Sequence, residues 1–257
     1  MTSLRVIFTE HDEFIPIFRS FRMVDSELYH VKPKKIAENI VSTNNLQITR
    51  GDSFIDKEEL KFGISILTNE SQTVLNEPTL ALFLRLINSI ETYLKYCYVF
   101  CATKEKDLKK FQDKDYGDTQ ILIEQQFFFD LLSNSRHQEK INDGFRLHHT
   151  DLLYKTIEGF IIYDFDEQRL LALEIIAIFK KLSDSQKIHL VDESHMIDAI
   201  LSFIVFTKRE CFSWEQEYRV VFIRHEQNKF ELQRDDKNKS YYIDLFLSTK
   251  SLSIQNT

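Results

Sequence analysis

Glycine and proline are scarce in this chain, five and three among 257 residues. Five scattered glycines cannot build a glycine-rich phosphate cradle, so the P-loop and the dinucleotide-binding fingerprint are excluded. Turns must be made with Asn, Asp and Ser instead. The three cysteines, Cys97, Cys101 and Cys211, are odd in number and lack framework spacing. That excludes a disulfide-stapled secreted scaffold and supplies no paired zinc ligands. The histidines do not help: His148 and His149 are adjacent, and His189 and His195 fall outside the i,i+4 arrangement of a zinc enzyme, so no metal is expected. A hydrolase elbow, Gly-x-Ser-x-Gly, is absent. No apolar run approaches the roughly 20 residues that cross a bilayer. A charged start followed by an apolar stretch is also missing, so no signal peptide is read and a cytoplasmic protein without a membrane partner is expected. Basic residues are in deficit, 33 against 40 acidic, for a net charge of −7. This excludes a uniformly basic nucleic-acid-coating surface but leaves a local basic groove open.

What is abundant is phenylalanine, 22 residues against one Trp, within 43% hydrophobic and 28% charged composition. Such a chain can bury a large aromatic core. A single domain over 1–257 is expected.

Leu4 to Phe8 reads as a strand, and residues 11–22 carry apolar side chains at helical spacing. Glu27 to Val31 reads as a strand, followed by a helix from Pro33 to about Ser42 with Ile36, Ile40 and Val41 on its buried face. Asn44-Asn45 turns the chain into a strand at 46–49. Asp56 and Glu59 form a capping box ahead of a helix containing Leu60, Ile64 and Leu67. Asn76 and Pro78 start the clearest helix, with Leu80, Phe83, Leu84, Ile87, Ile90 and Leu94 on one face. Tyr96 to Ala102 is a nearly continuous apolar run, a buried central strand. A short Lys/Asp-rich helix reaches about Gln112, and Thr119 to Ile123 is a strand. Residues 127–132 read as helix or strand, and the polar stretch 133–151 as a mobile insertion. A strand is predicted at 160–163, then helices over 166–182, with Leu170, Leu173, Ile176 and Phe179 inside, and over 194–206. The last third is β-rich: 218–223, 230–233 and 241–247, an antiparallel meander. Helices earlier and strands at the end give an α+β class.

One segment concentrates chemistry: Ser213-Trp214-Glu215-Gln216-Glu217-Tyr218-Arg219. If it is extended, Glu215 and Glu217 project on one face, and like charges held close prepare one group to manage a proton. The bland alternative is a solvated strand edge with Arg219 paired to a neighbouring acid, which is how most Glu-x-Glu segments behave. Tyr29-His30, at the end of a strand, offers an aromatic face and a neutral ring donor; its bland alternative is a surface strand end. Tyr116-Gly117, before another strand, is a third candidate or a plain turn.

Together these segments resemble a widespread, functionally uncharacterised bacterial domain family. Leu28-Tyr29-His30, Asn45 to Thr49 and Phe54 to Glu59 are similar to its Leu-Tyr-His-Tyr-Thr opening and the segment after it. Tyr98 to Thr103, Asp107-Leu108, Phe111 and Tyr116-Gly117 resemble its Cys-Phe-Ser … Trp-x-x-Tyr-Gly block. Lys208, Phe212 and Glu215-Gln216-Glu217-Tyr218-Arg219 resemble its Lys-x-x-x-Phe … Glu-x-Glu-Tyr-Arg block, the most specific of the three. The similarity covers about residues 27–254. Phe111 stands in place of the family's Trp, Val31-Lys32-Pro33 replaces Tyr-Thr after His30, and Asp56 lacks the usual Asn-Asp-Pro frame.

That layout in turn resembles ADP-ribosyltransferases, which open with a Tyr-His strand and close with a catalytic Glu at the start of a C-terminal strand. The resemblance implies a mixed split sheet with NAD as substrate. His30 would hold the adenine-side ribose, and Tyr29 or Tyr116 would pack on nicotinamide, with Arg219 counted among the cofactor-binding residues. Glu217 would accept a hydrogen bond from the nicotinamide ribose, and Glu215 would serve the acceptor. It further implies a toxin or antiviral-defence effector with a neutralising protein partner, acting on a protein or nucleic-acid acceptor. The alternative is a non-catalytic nucleotide- or partner-binding module of the same fold.

Overall fold

The computed structural model describes residues 7–8, 14–15, 27–55, 57–124, 154–185, 193–224, 233–235, 240–246 and 252–255. The predicted insertion at 133–151, the segment 127–132 and the capping position Asp56 lie outside them. In chain order the elements begin with β1 (Ile7–Phe8), β2 (Phe14–Ile15), β3 (Leu28–Lys32), α1 (Lys34–Thr43), β4 (Asn45–Arg50) and α2 (Gly51–Phe54). Then come α3 (Lys57–Val74), α4 (Glu77–Tyr93), β5 (Cys97–Thr103), α5 (Leu108–Gln112), β6 (Thr119–Ile123) and β7 (Tyr154–Phe160). The last are α6 (Phe165–Asp184), α7 (Glu193–Val205), β8 (Glu217–Arg224), β9 (Gln233–Asp235), β10 (Ser240–Phe246) and β11 (Leu252–Ile254). The class is α+β. The chain divides into two compact units, each assembled from three stretches: Met1–Phe21, Ile55–Lys95 and Gly159–Ser213 form one, and Arg22–Phe54, Tyr96–Glu158 and Trp214–Thr257 the other.

The first unit is largely helical. Two of its helices start on side-chain caps. Asn76 accepts a hydrogen bond from the Thr79 amide at 3.2 Å, and Asp164 from the Glu167 amide at 2.8 Å, each satisfying an orphan donor of the first turn. Phe83 of α4 and Phe179 of α6, both fully buried, meet edge to face with centroids 4.7 Å apart. Gly63 of α3 lets α7 approach closely, since an added Cβ would sit 3.2 Å from Ile204 Cα. The buried Gln168 amide donates to the carbonyls of Ile162 at 2.5 Å and Lys208 at 2.8 Å, tying two irregular stretches together. Three expectations need correction. Leu170, predicted inside, is 63% exposed, because α6 buries the neighbouring stripe of Leu171, Ile175, Ile176 and Phe179. Phe14–Ile15, predicted helical, pairs antiparallel with Ile7–Phe8. The strand predicted at 160–163 ends at Phe160, and Ile162 makes only an isolated bridge to Thr207.

The second unit holds the sheet. Every ladder with a described register is antiparallel, rather than the mixed arrangement expected. The apolar run predicted as a strand over Tyr96 to Ala102 forms the central strand, Cys97–Thr103. Along one edge of β5, all residues from Cys97 to Thr103 pair with β8. Its other edge is shared. Thr49 and Arg50 of β4 pair with Val99 and Tyr98, whereas β3 pairs only at Tyr29↔Thr103. The sheet therefore forks at β5. One leaf continues β3–β6–β11 and the other β4–β10–β9. The C-terminal strands do not form the predicted meander, since β8 takes the centre, β10 pairs with β4 and β11 with β6. On α1, Ile40 is buried as predicted and Ala37 joins it, whereas Ile36, also predicted inside, is 48% exposed. Asn44 ends α1 in the left-handed region at φ 54°, a conformation Asn tolerates better than most residues.

Candidate functional site

The fork is where the singled-out residues gather, all within the second unit. β3 leaves β5 after a single residue pair. One position on, the Cys101 carbonyl that would accept a main-chain N–H receives the His30 ring instead, with Nδ1 2.7 Å away. A carbonyl can only accept, so Nδ1 carries the proton and Nε2 is left as a lone-pair acceptor. The ring tilts against Phe100 with centroids 4.9 Å apart. Nε2 is sealed from solvent and has no hydrogen-bond partner among the described residues. Burial, reinforced by the charge of Lys32 and only partly opposed by the bond to Cys101, pushes the imidazole pKa down to about 3. His30 thus presents a neutral acceptor, where the sequence suggested a ring donor.

β8 begins at Glu217, opposite Thr103. Its carboxylate is held from two sides. Arg219 Nε donates to Oε1 at 2.8 Å and Nη2 to Oε2 at 3.1 Å, a bidentate pair. The Cys101 thiol donates to Oε1 at 2.7 Å. Glu217 is 7% exposed and Arg219 1%. The guanidinium also lies over the Phe54 ring, 5.3 Å from its centroid. The anticipated partner of Glu217 is therefore present, but in the interior rather than on a solvated edge.

Glu215 does not stand beside Glu217 as an extended pair. Gln216 between them adopts φ 44°, in the left-handed region, and this turns the chain from a 3₁₀ segment (Glu210–Glu215) into β8. The corner is clamped to the end of β5: the Thr103 hydroxyl donates to the Glu215 carbonyl, and the Lys104 amide to that of Gln216 at 3.2 Å. The buried Glu215 carboxylate accepts from the Tyr116 hydroxyl at 3.2 Å. Tyr116, half exposed, belongs to a cluster with Phe111 and Trp214, whose centroids lie 5.3 Å apart. The chain's one tryptophan thus packs against Phe111.

Tyr29 sits apart from these contacts. It is 2% exposed, its hydroxyl donates to Glu27 at 2.6 Å, and the Lys106 ammonium lies 5.8 Å from its ring centroid. Burial, with the Glu27 hydrogen bond second, raises its pKa. Of the two aromatic candidates, Tyr116 is the accessible one. Cys101, Thr103 and Lys32 were not singled out from sequence; their contacts join segments distant along the chain, and no local spacing marks them.

Among the described residues no group of three or more His, Cys, Asp or Glu could hold a metal ion, and no helix is long and apolar enough to cross a membrane. No protein-family model, curated protein or solved structure matches the chain.

Proposed function

We propose that the fork is a nucleotide site and that the protein cleaves NAD, passing ADP-ribose to a protein or nucleic-acid acceptor. The observation that carries the reading is His30. A neutral imidazole, fixed in one tautomer by a backbone carbonyl, keeps a buried acceptor with no partner among the described residues where the sheet opens. A buried lone pair without a donor is costly, and a ligand hydroxyl such as that of a ribose would satisfy it. A sheet opened along one strand edge resembles the split sheet on which ADP-ribosyltransferases hold NAD.

On this reading the strand starting at Glu217 delivers a fixed carboxylate to the nicotinamide-side ribose. Cleaving the N-glycosidic bond builds oxocarbenium character, which an ionised carboxylate stabilises more in the transition state than in the ground state. Arg219 holds the Glu217 carboxylate oriented through its two hydrogen bonds. Each carboxylate oxygen can accept more than one hydrogen bond, so the salt bridge and a bond from the ribose 2′-hydroxyl are compatible. Tyr116 would pack on the nicotinamide, and Glu215, held by Tyr116, would orient or deprotonate the acceptor. A toxin or antiviral-defence effector with a neutralising partner is the biological setting proposed, in the cytoplasm of a bacterium.

A second reading rests on the same pair. Both oxygens of Glu217 are engaged by Arg219, as they would be in a module that binds a nucleotide or a protein partner without turnover. Incubation with labelled NAD and cell extract decides. Label in the protein or nucleic-acid fraction supports transfer. Thermal stabilisation by NAD without nicotinamide release supports the binding module. Neither effect at millimolar NAD sinks both.

A further inference from the structure

Lys32 lies two residues beyond His30 on β3, and strand alternation puts both on one face, with Cα atoms about 7 Å apart. Their β6 partners, Thr119 for Lys32 and Ile121 for His30, share that face and are buried. Lys32 is half-buried, yet its ammonium has no ion-pair partner among the described residues. A half-buried cation with no counter-charge among the described residues is an arrangement that a bound anion improves. The backbone here is fixed. Gly117, at φ 151°, presses on the main chain of Lys32, and an added Cβ would lie 2.7 Å from the Lys32 carbonyl oxygen. Two residues on, the Lys34 amide donates to Asp118 Oδ1 at 2.7 Å, as does the Thr119 hydroxyl at 3.1 Å.

The two unsatisfied groups specify a ligand together. His30 Nε2 needs a hydroxyl donor, Lys32 needs an anion, and their spacing suits the two groups sitting a few bonds apart. We infer that Lys32 and His30 form a sugar-phosphate subsite, in which Lys32 takes the phosphate of a nucleoside phosphate or diphosphate and His30 accepts from its ribose hydroxyl. This rests on the reading of the fork as a nucleotide site and adds which part of the nucleotide β3 recognises. Nε2 is closed to solvent whereas Lys32 is partly open, so the phosphate docks first and the hydroxyl follows with a local movement of the fork. Burial lowers the Lys32 pKa, with Cys101 opposing the shift, and a bound phosphate would raise it.

Calorimetric titration of the full chain with ADP-ribose, adenosine and inorganic pyrophosphate tests it. Wild type should bind ADP-ribose more tightly than adenosine. Lys32→Met should weaken ADP-ribose and pyrophosphate at least tenfold and leave adenosine within twofold, while Lys32→Arg should recover most of the loss. His30→Ala should weaken ADP-ribose and adenosine alike and spare pyrophosphate. Circular dichroism of each variant confirms that it is folded. Unchanged ADP-ribose affinity in a folded Lys32→Met overturns the subsite, and if that variant still releases nicotinamide from NAD, the nucleotide reading stands without it. Failure of wild type to bind any of the three probes overturns both.

Discussion

Glu217→Gln removes the negative charge from the centre of the fork while keeping the shape of the side chain. Its cost follows from burial. Arg219 is 1% exposed and makes two charge-assisted bonds to Glu217, at 2.8 and 3.1 Å. On an exposed strand such a pair is worth at most about 1 kcal/mol. In the interior, removing one partner leaves the other charge uncompensated, and the usual cost is about 3–5 kcal/mol. The Gln amide oxygen can still accept one guanidinium N–H, so the lower end, about 3 kcal/mol, is expected. Replacing both residues with Met should recover much of this, since it removes the buried guanidinium along with its counter-charge. The readout is built in. Trp214 is the single tryptophan, lies in the same unit as the pair, and touches Phe111, so its fluorescence reports unfolding there. Urea titrations of wild type, Glu217→Met, Arg219→Met and the Met–Met double variant complete a cycle, with Glu217→Gln measured beside them. A loss under about 1 kcal/mol for Glu217→Gln, with single effects that add in the double variant, would refute the interior-pair account.

Other consequences can be checked directly. His30, with a pKa near 3 in the folded chain against an ordinary 6.5, binds a proton in the unfolded chain over a range where the folded chain does not. Stability therefore falls as pH drops through 6.5 towards 3, by about 2 kcal/mol between pH 7 and 5. His30→Asn should show a urea-derived stability difference between those pH values that is smaller by about that amount, and an equal difference would contradict the neutral buried ring. Gly117→Ala places a side chain against the Lys32 backbone at a φ of 151°; a loss of more than about 1 kcal/mol is expected in the same titration. Glu215→Gln should reduce transfer to an acceptor more than NAD hydrolysis, measured as macromolecule-bound label against free ADP-ribose. Equal reductions would remove its acceptor-side role.

The helices were legible where periodicity and capping agreed. Asn76 and Asp164 cap α4 and α6, close to the starts that were predicted. Which stripe those helices bury was less legible, because adjacent apolar residues offer two faces; Ile36 and Leu170 fell on the exposed one. A strand starting at Glu217 was readable from Tyr218-Arg219-Val220-Val221-Phe222. The fork was not, since it depends on two strands sharing one edge of β5, a matter of long-range register. Nor could the Cys101–Glu217 contact be seen across a separation of 116 residues. Gln216 is not a residue that announces a left-handed corner, so Glu215 and Glu217 read as an extended pair when the chain turns between them. The burial of Arg219 is the most consequential of these differences, because it moves the pair from a screened surface to the interior.

Nicotinamide release from NAD tests the central claim most directly. Purified protein at millimolar NAD, with product followed by chromatography, should release nicotinamide. Glu217→Gln, assayed well below its melting temperature, should release it about 10²–10⁴-fold more slowly while NAD affinity stays near that of wild type. Wild-type turnover in a folded Glu217→Gln would contradict the role given to the carboxylate. An absence of both release and thermal stabilisation by NAD in the wild-type protein would contradict the nucleotide site itself.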